Sequence, residues 1–293
     1  MHKLPLATPA RLLGAILAIC LTATAQQARN PSASPTAPGL SKPAASPTPN
    51  DEMLARAAKL YYSSAKTGFE SFDCALHPDW HTLFVSASKG SEVAEDDPRI
   101  VLLKSVGVTM HGKLKGGSAI DWNPATNADK PLDQDSTTLL NNMHTATEQT
   151  LQGFMQFWTP FVDGSAVPNN SAGLEITKTE LGYTLHADTK DTKVTEQMDK
   201  QLTLTHFDVV MSQATVHFEP SYKSTDKGLL VNGFMAHIFA AGAPPEPEQE
   251  MHVAIEYQNV QGFPIPSQLN MSVVGTGIFN FALDGCIANA QPK

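Results

Sequence analysis

Few side chains in this chain are spaced for chemistry. Ser63-Ser64-Ala65-Lys66-Thr67-Gly68 contains both S-x-x-K and K-T-G, the pair of motifs with which one class of acyl enzymes activates a serine. That chemistry takes its two lysines from a helix and a strand far apart in the chain, whereas here both motifs share Lys66. The stretch therefore reads as a helix end with a glycine stop. No G-x-S-x-G is present, which removes the nucleophile elbow of serine hydrolases. Asp73 and Asp79 would serve glycoside cleavage only if the fold set them across one cleft. No catalytic residue is assigned, and the chain reads as non-enzymatic.

Histidine is plentiful. His77 and His81 have the i, i+4 spacing that puts two metal ligands on one helical face, but Pro78 pushes the residue before it out of the helical region. No H-E-x-x-H accompanies them. His206, His217, His237 and His252 fall on predicted strands and meet only if the pairing register allows, and a lone strand histidine is by default a satisfied structural residue. The acidic stretch from Glu92 to Asp97 lacks the glycine and ligand spacing of an EF-hand and reads as a solvated loop. No metal ligand and no cofactor is assigned. Three cysteines remain: Cys20, Cys74 and Cys286. The last two bracket the folded region and lack C-x-x-C spacing, so in an oxidising compartment they are the candidate disulfide, with two buried free thiols as the alternative.

The compartment follows from the first fifty residues. Lys3 and Arg11 open the chain, Leu12 to Leu21 is apolar, and Ala23-Thr24-Ala25 is an A-x-A cleavage site, so residues 1–25 read as a signal peptide for the periplasm or for secretion. Lipid anchoring through Cys20 is disfavoured because Ile19, not a small residue, precedes it. Residues 26–50 repeat Pro, Ser, Ala and Thr and read as a disordered tether. Residues 51–290 are then one domain. Cleavage removes two positive charges and no acidic ones, moving the formal charge from −9 to −11. An acidic surface excludes nucleic acid and electrostatic docking to anionic membranes.

Within the domain, residues 51–66 read as a helix capped by Asn50 or Asp51, with Leu54, Ala57, Ala58, Tyr61 and Tyr62 on one face. Residues 69–76 read as a strand, and Pro78 as the first turn of a short helix through Trp80, Leu83 and Phe84. Residues 106–122 form a hairpin turning at Gly116-Gly117. Residues 135–158 form the clearest helix, ended by Pro160, with a stripe that includes Leu139, Leu140, Met143, Thr147, Leu151, Phe154, Met155 and Trp158.

From residue 173 onward the chain reads as strands separated by turns. Leu229 to Phe239 is apolar on both faces, which predicts a central strand covered on both sides. Met251, Val253, Ile255 and Tyr257 alternate with His252, Ala254, Glu256 and Gln258, which predicts one face in the core and one outward. A long antiparallel meander twists and curls, leaving a hollow, and the striped helix has too much apolar surface to lie anywhere but across it. The fold class is α+β: a curled antiparallel sheet, half-barrel-like, with helices on its concave face. Leu140, Met143, Leu151, Phe154, Met155 and Trp158 are the candidate ligand-lining residues.

The export signal, the helix ahead of the first strand and the long meander resemble the periplasmic lipoprotein-sorting carriers, the LolA-like group. The residues that carry the resemblance are Leu181-Gly182-Tyr183-Thr184-Leu185 and Tyr257-Gln258-Asn259-Val260-Gln261-Gly262-Phe263-Pro264-Ile265-Pro266, within residues 173–284. The resemblance implies a carrier that shields a lipid or lipoprotein acyl chain in an apolar hollow. Residues 51–172 depart from that group in having few strands and a long inserted helix. The other readings are an envelope structural or protein-interaction module with a filled core, and an exported hydrolase or metalloenzyme.

Overall fold

The computed structural model describes residues 47–64, 67–88, 92–115, 117–124, 132–189, 192–241, 247 and 249–290. The expected signal peptide and nearly all of the expected tether lie outside the described residues, as do Gly116, Lys66 and Cys20. Helix α1 (Pro49–Ala58) precedes strand β1 (Phe69–Pro78), and helices α2 (Trp80–Ala87) and α3 (Pro98–Lys104) follow it. Strands β2 (Gly107–Lys113) and β3 (Gly117–Asn123) form the expected hairpin, and helix α4 (Gln134–Asp163) comes next. Strands β4 (Glu175–Lys178), β5 (Gly182–Asp188), β6 (Thr192–Asp199), β7 (Leu204–Met211), β8 (Ala214–Thr225) and β9 (Gly228–Ala240) begin the meander. It continues through β10 (Gln249–Val260), β11 (Phe263–Val273) and β12 (Gly277–Ala290).

All twelve strands belong to one antiparallel sheet in the order β3-β2-β1-β12-β11-β10-β9-β8-β7-β6-β5-β4, with β3 and β4 as free edges. The sheet curls without closing into a barrel. Strand parity decides its two faces. Phe234, Val253, Met271 and Phe279 are successive cross-strand partners on the concave side, as are Phe218, Ala236 and Met251, and all are buried. Helix α4 lies against that side. Phe157 packs on Phe234 with ring centroids 3.7 Å apart, and Phe161 reaches Phe207 at 6.2 Å. Trp158 donates its indole N–H to the Tyr257 hydroxyl at 2.9 Å, and that hydroxyl donates to the Val231 carbonyl. Burial pushes the Tyr257 phenol far above its ordinary pKa.

Several expectations need correction. Helix α1 begins two residues early, with Thr48 and Asp51 forming a reciprocal capping box, and it stops at Ala58. The chain beyond is extended because Tyr62 N–H donates to Leu229 O and Leu229 N–H to Leu60 O. Tyr61 and Tyr62 stay buried without being helical. Pro78 closes β1 instead of opening a helix, and Asp79 caps α2 by accepting from Thr82 N at 3.0 Å. The acidic loop leads into α3, with Asp97 as its cap.

Pro160 does not end α4, which runs on to Asp163. An interior proline costs about 3 kcal/mol. Burying Phe161 and Val162, at 4% and 1% exposure, returns about 1.5–3 kcal/mol each, which covers that cost. Strand β9 is central in the sheet, but its two sides are not covered equally: Met235, His237 and Phe239 on the convex side are half-exposed, while Phe234, Ala236 and Ile238 between them are buried.

The Cys74 and Cys286 sulfurs are bonded at 1.99 Å, joining β1 to β12. Asp73 pairs with Ile287 but Ala75 with Asp284, so Gly285 and Cys286 both oppose Cys74 in a β-bulge. Gly285 takes φ +55° there, a conformation glycine adopts without steric cost. Gly112 on β2 has a different role. A Cβ at this position would sit 2.3 Å from the Phe72 ring, so only glycine lets that ring lie across the strand.

Candidate functional site

The apolar side chains under the helices fall into two clusters. The larger holds the concave face of the sheet with α1 and the C-terminal half of α4. The smaller is built from Trp80 and Phe84 on α2, Ile100 and Leu103 on α3, and Leu140 and Met143 on α4. Aromatic contacts fix the smaller cluster: Trp80 meets the edge of Trp122 on β3 at 6.0 Å, and Trp122 stacks on His144 of α4 at 5.3 Å. Arg99 lies over the Phe84 ring at 4.8 Å and is anchored by Asp97, whose carboxyl it holds below the usual range through their side-chain hydrogen bond.

At the seam between the clusters is an apolar cleft. Leu83 and Phe84 of α2 form one wall, Met143 and Ala146 of α4 another, and Phe279 and Phe281 of β12 the floor. Its cavity volume is about 50 Å3, inside a recess of about 650 Å3 when the part open to solvent is included. Polar contacts pin helix α2 over it. Asp79 N–H donates to Asn280 O, Ile278 N–H donates to Ser86 Oγ, and His81 Nε2 meets Val93 O. A wider groove of about 620 Å3 opens on the convex side, lined by Glu219, His252, Asn270 and Ser272 among others. It mixes polar and apolar side chains and is more open to solvent than the cleft.

Of the six candidate lining residues, Met143 alone lines the cleft. Leu140 packs in the smaller cluster beside it. Leu151, Phe154, Met155 and Trp158 are at most 1% exposed and fill the hollow as core. The lining residues not expected from the sequence include Trp80, Leu83, Phe84 and Ala87 of α2. Their 80, 83, 84, 87 spacing is a one-faced helical stripe, a signal visible in the sequence but overshadowed by the longer helix.

The polar candidates separate. His77 meets Asp284 at 3.1 Å while His81 meets Glu95 at 3.2 Å, so they do not converge. Asp73 pairs with His111 at 2.6 Å and Asp79 caps α2, so the two carboxylates face different partners. Asp73, followed by burial and Asp121, sets the balance at His111, whose pKa is raised. Ser63 donates to the Asp163 carbonyl, and the Lys66 shared by the serine motifs lies outside the described residues. No helix among the described residues is long and apolar enough to cross a membrane.

Compared with family models, curated proteins and solved structures, the chain matches none of them.

Proposed function

We propose that the protein is an exported, non-enzymatic carrier that takes a lipid or lipoprotein acyl chain into the cleft between α2, α4 and β12. The observation that carries this reading is the cleft itself: an almost wholly apolar recess with a mouth to solvent, set between two separately packed clusters. An unclosed antiparallel sheet with helices across its concave face is also what the resemblance to the LolA-like carriers implies, and it supports the same reading. The disulfide is compatible with an oxidising, extracytoplasmic compartment.

The cavity of about 50 Å3 is smaller than the roughly 150 Å3 that admits benzene. A chain-length ligand therefore enters only when a wall moves. Helix α2 is the wall with least to lose. It has eight residues, against thirty in α4, and its polar ties are few. Opening it widens the recess toward the 300–1,000 Å3 of ordinary ligand pockets.

Native mass spectrometry of the chain purified without detergent, then incubated with palmitate or a diacylated peptide, tests this directly. One bound acyl ligand per chain is expected. A consistently empty protein that takes up neither probe contradicts the carrier. That outcome favours the second reading, a protein-interaction module whose hollow Leu151, Phe154, Met155 and Trp158 simply fill.

A further inference from the structure

The convex face carries a row of directly opposed residues that no single strand discloses. Glu175 pairs with His186, His186 with Thr195, Thr195 with Asp208, and Asp208 with His217. His217 in turn pairs with His237, and His237 with Glu250. His206 lies two residues before Asp208 on β7 and therefore on the same face.

We propose that His206, Asp208 and His217 form a site for a divalent transition-metal ion such as Zn2+ on the convex face of the sheet. Their ligand atoms all lie within 4.8 Å of one another. His206 Nε2 is 2.7 Å and His217 Nδ1 2.5 Å from the same oxygen, Asp208 Oδ1. Two imidazoles and one carboxylate are a donor set suited to zinc, with the remaining position left to water.

The side chains are held in place on one side and open on the other. The His206 and His217 rings stack at 5.8 Å, and Phe239 meets the His217 ring edge-on at 4.9 Å. Side-chain exposures of 23%, 22% and 35% for His206, Asp208 and His217 leave an ion's path from solvent. Among the described residues Asp208 has no lysine or arginine ion-pair partner, so the two histidines alone answer its charge. Tetrahedral zinc with bonds of about 2.0–2.1 Å sets its donors roughly 3.3 Å apart. Small side-chain rotations of half-exposed residues reach that spacing.

Calorimetric titration of the untagged full chain with Zn2+ in a non-chelating buffer at pH 7.5 tests the site. One saturable equivalent per chain is expected. His206→Ala and His217→Ala should each weaken it at least tenfold, and Asp208→Asn, which keeps the side-chain shape, should weaken it as well. His252→Ala should leave it unchanged, although His252 joins Glu250 farther along the same row. Circular dichroism on each variant separates lost binding from lost fold, and Asp208→Asn keeps the test decisive should the alanine variants unfold. No saturable binding by the wild type overturns the site. So does unchanged binding in Asp208→Asn together with folded His217→Ala, or loss in His252→Ala alone.

Discussion

Replacing Ala146 by leucine should make the protein more stable and a poorer carrier. Ala146 is 7% exposed and lines the cleft opposite Phe279 and Phe281. Cavity volume costs about 24 cal/mol per Å3, so filling the roughly 50 Å3 here gains about 1.2 kcal/mol. Leucine is nearly as good a helix former as alanine, so little of that gain is lost. The part of the side chain that exceeds the cavity extends into the solvent-open portion of the recess.

An acyl chain entering the same space must reverse the gain, which weakens uptake by about eightfold. Equilibrium urea unfolding reads the stability change, and titration with a fluorescent polyene fatty acid reads the uptake. A variant stabilised by about 1 kcal/mol with unaltered uptake would place the ligand elsewhere. A variant destabilised by 2 kcal/mol or more would show that the cleft has no room, and the reasoning from its volume would fail.

The disulfide closes a loop of 212 residues, for which the chain-entropy model gives about 5 kcal/mol as an upper figure. Cys74→Ala/Cys286→Ala should therefore lower the urea midpoint strongly, and an unchanged midpoint would show that the β1–β12 pairing holds without it. Tyr257→Phe strands the Trp158 indole N–H and removes a donor from the Val231 carbonyl. At about 1–3 kcal/mol for each of these two groups it should cost about 2–6 kcal/mol in chemical denaturation, and a loss under 0.5 kcal/mol contradicts the burial of that pair. The Asp51 carboxyl is held well below its ordinary pKa by the Thr48 backbone N–H first, then by Ser171. Its contribution is present above the unfolded carboxylate value near 4 and is lost as pH falls below that toward the folded value. Asp51→Asn should thus flatten the decline in melting temperature between pH 5 and pH 2.5, and an identical acid slope in both proteins removes Asp51 from that account.

Local patterns made the architecture legible. Alternation from Met251 to Ile255 gave β10 its buried face, and the stripe from Leu139 to Trp158 identified the helix that covers the concave side. Local reading failed where tertiary contacts outweigh backbone preference. Phe161 and Val162 carry α4 through Pro160, and the bridge to Leu229 ends α1 before Tyr61. Helix α3 has only seven residues, too short for its period to separate it from a loop.

The cleft was half legible. Met143 was identified from its helix, but the α2 wall and the β12 floor meet it only through pairing of β1 with β12 across most of the chain. The histidine row was illegible for a sharper reason. Ala214 pairs with Ala240 but Tyr222 with Val231, because a bulge at Ser221/Tyr222 shifts the register by one. Counted back from the turn at residues 226–227 without that bulge, His217 would face Ala236 rather than His237, and one residue of slip moves a side chain to the other face.

The carrier claim is tested most directly by photolabelling the full chain with a diazirine fatty acid and mapping the labelled peptides. Label concentrated on residues 80–87, 143–147 and 276–281, and displaced by unlabelled palmitate, is the predicted result. Label confined to the convex groove, or none above that of the denatured chain, would contradict it.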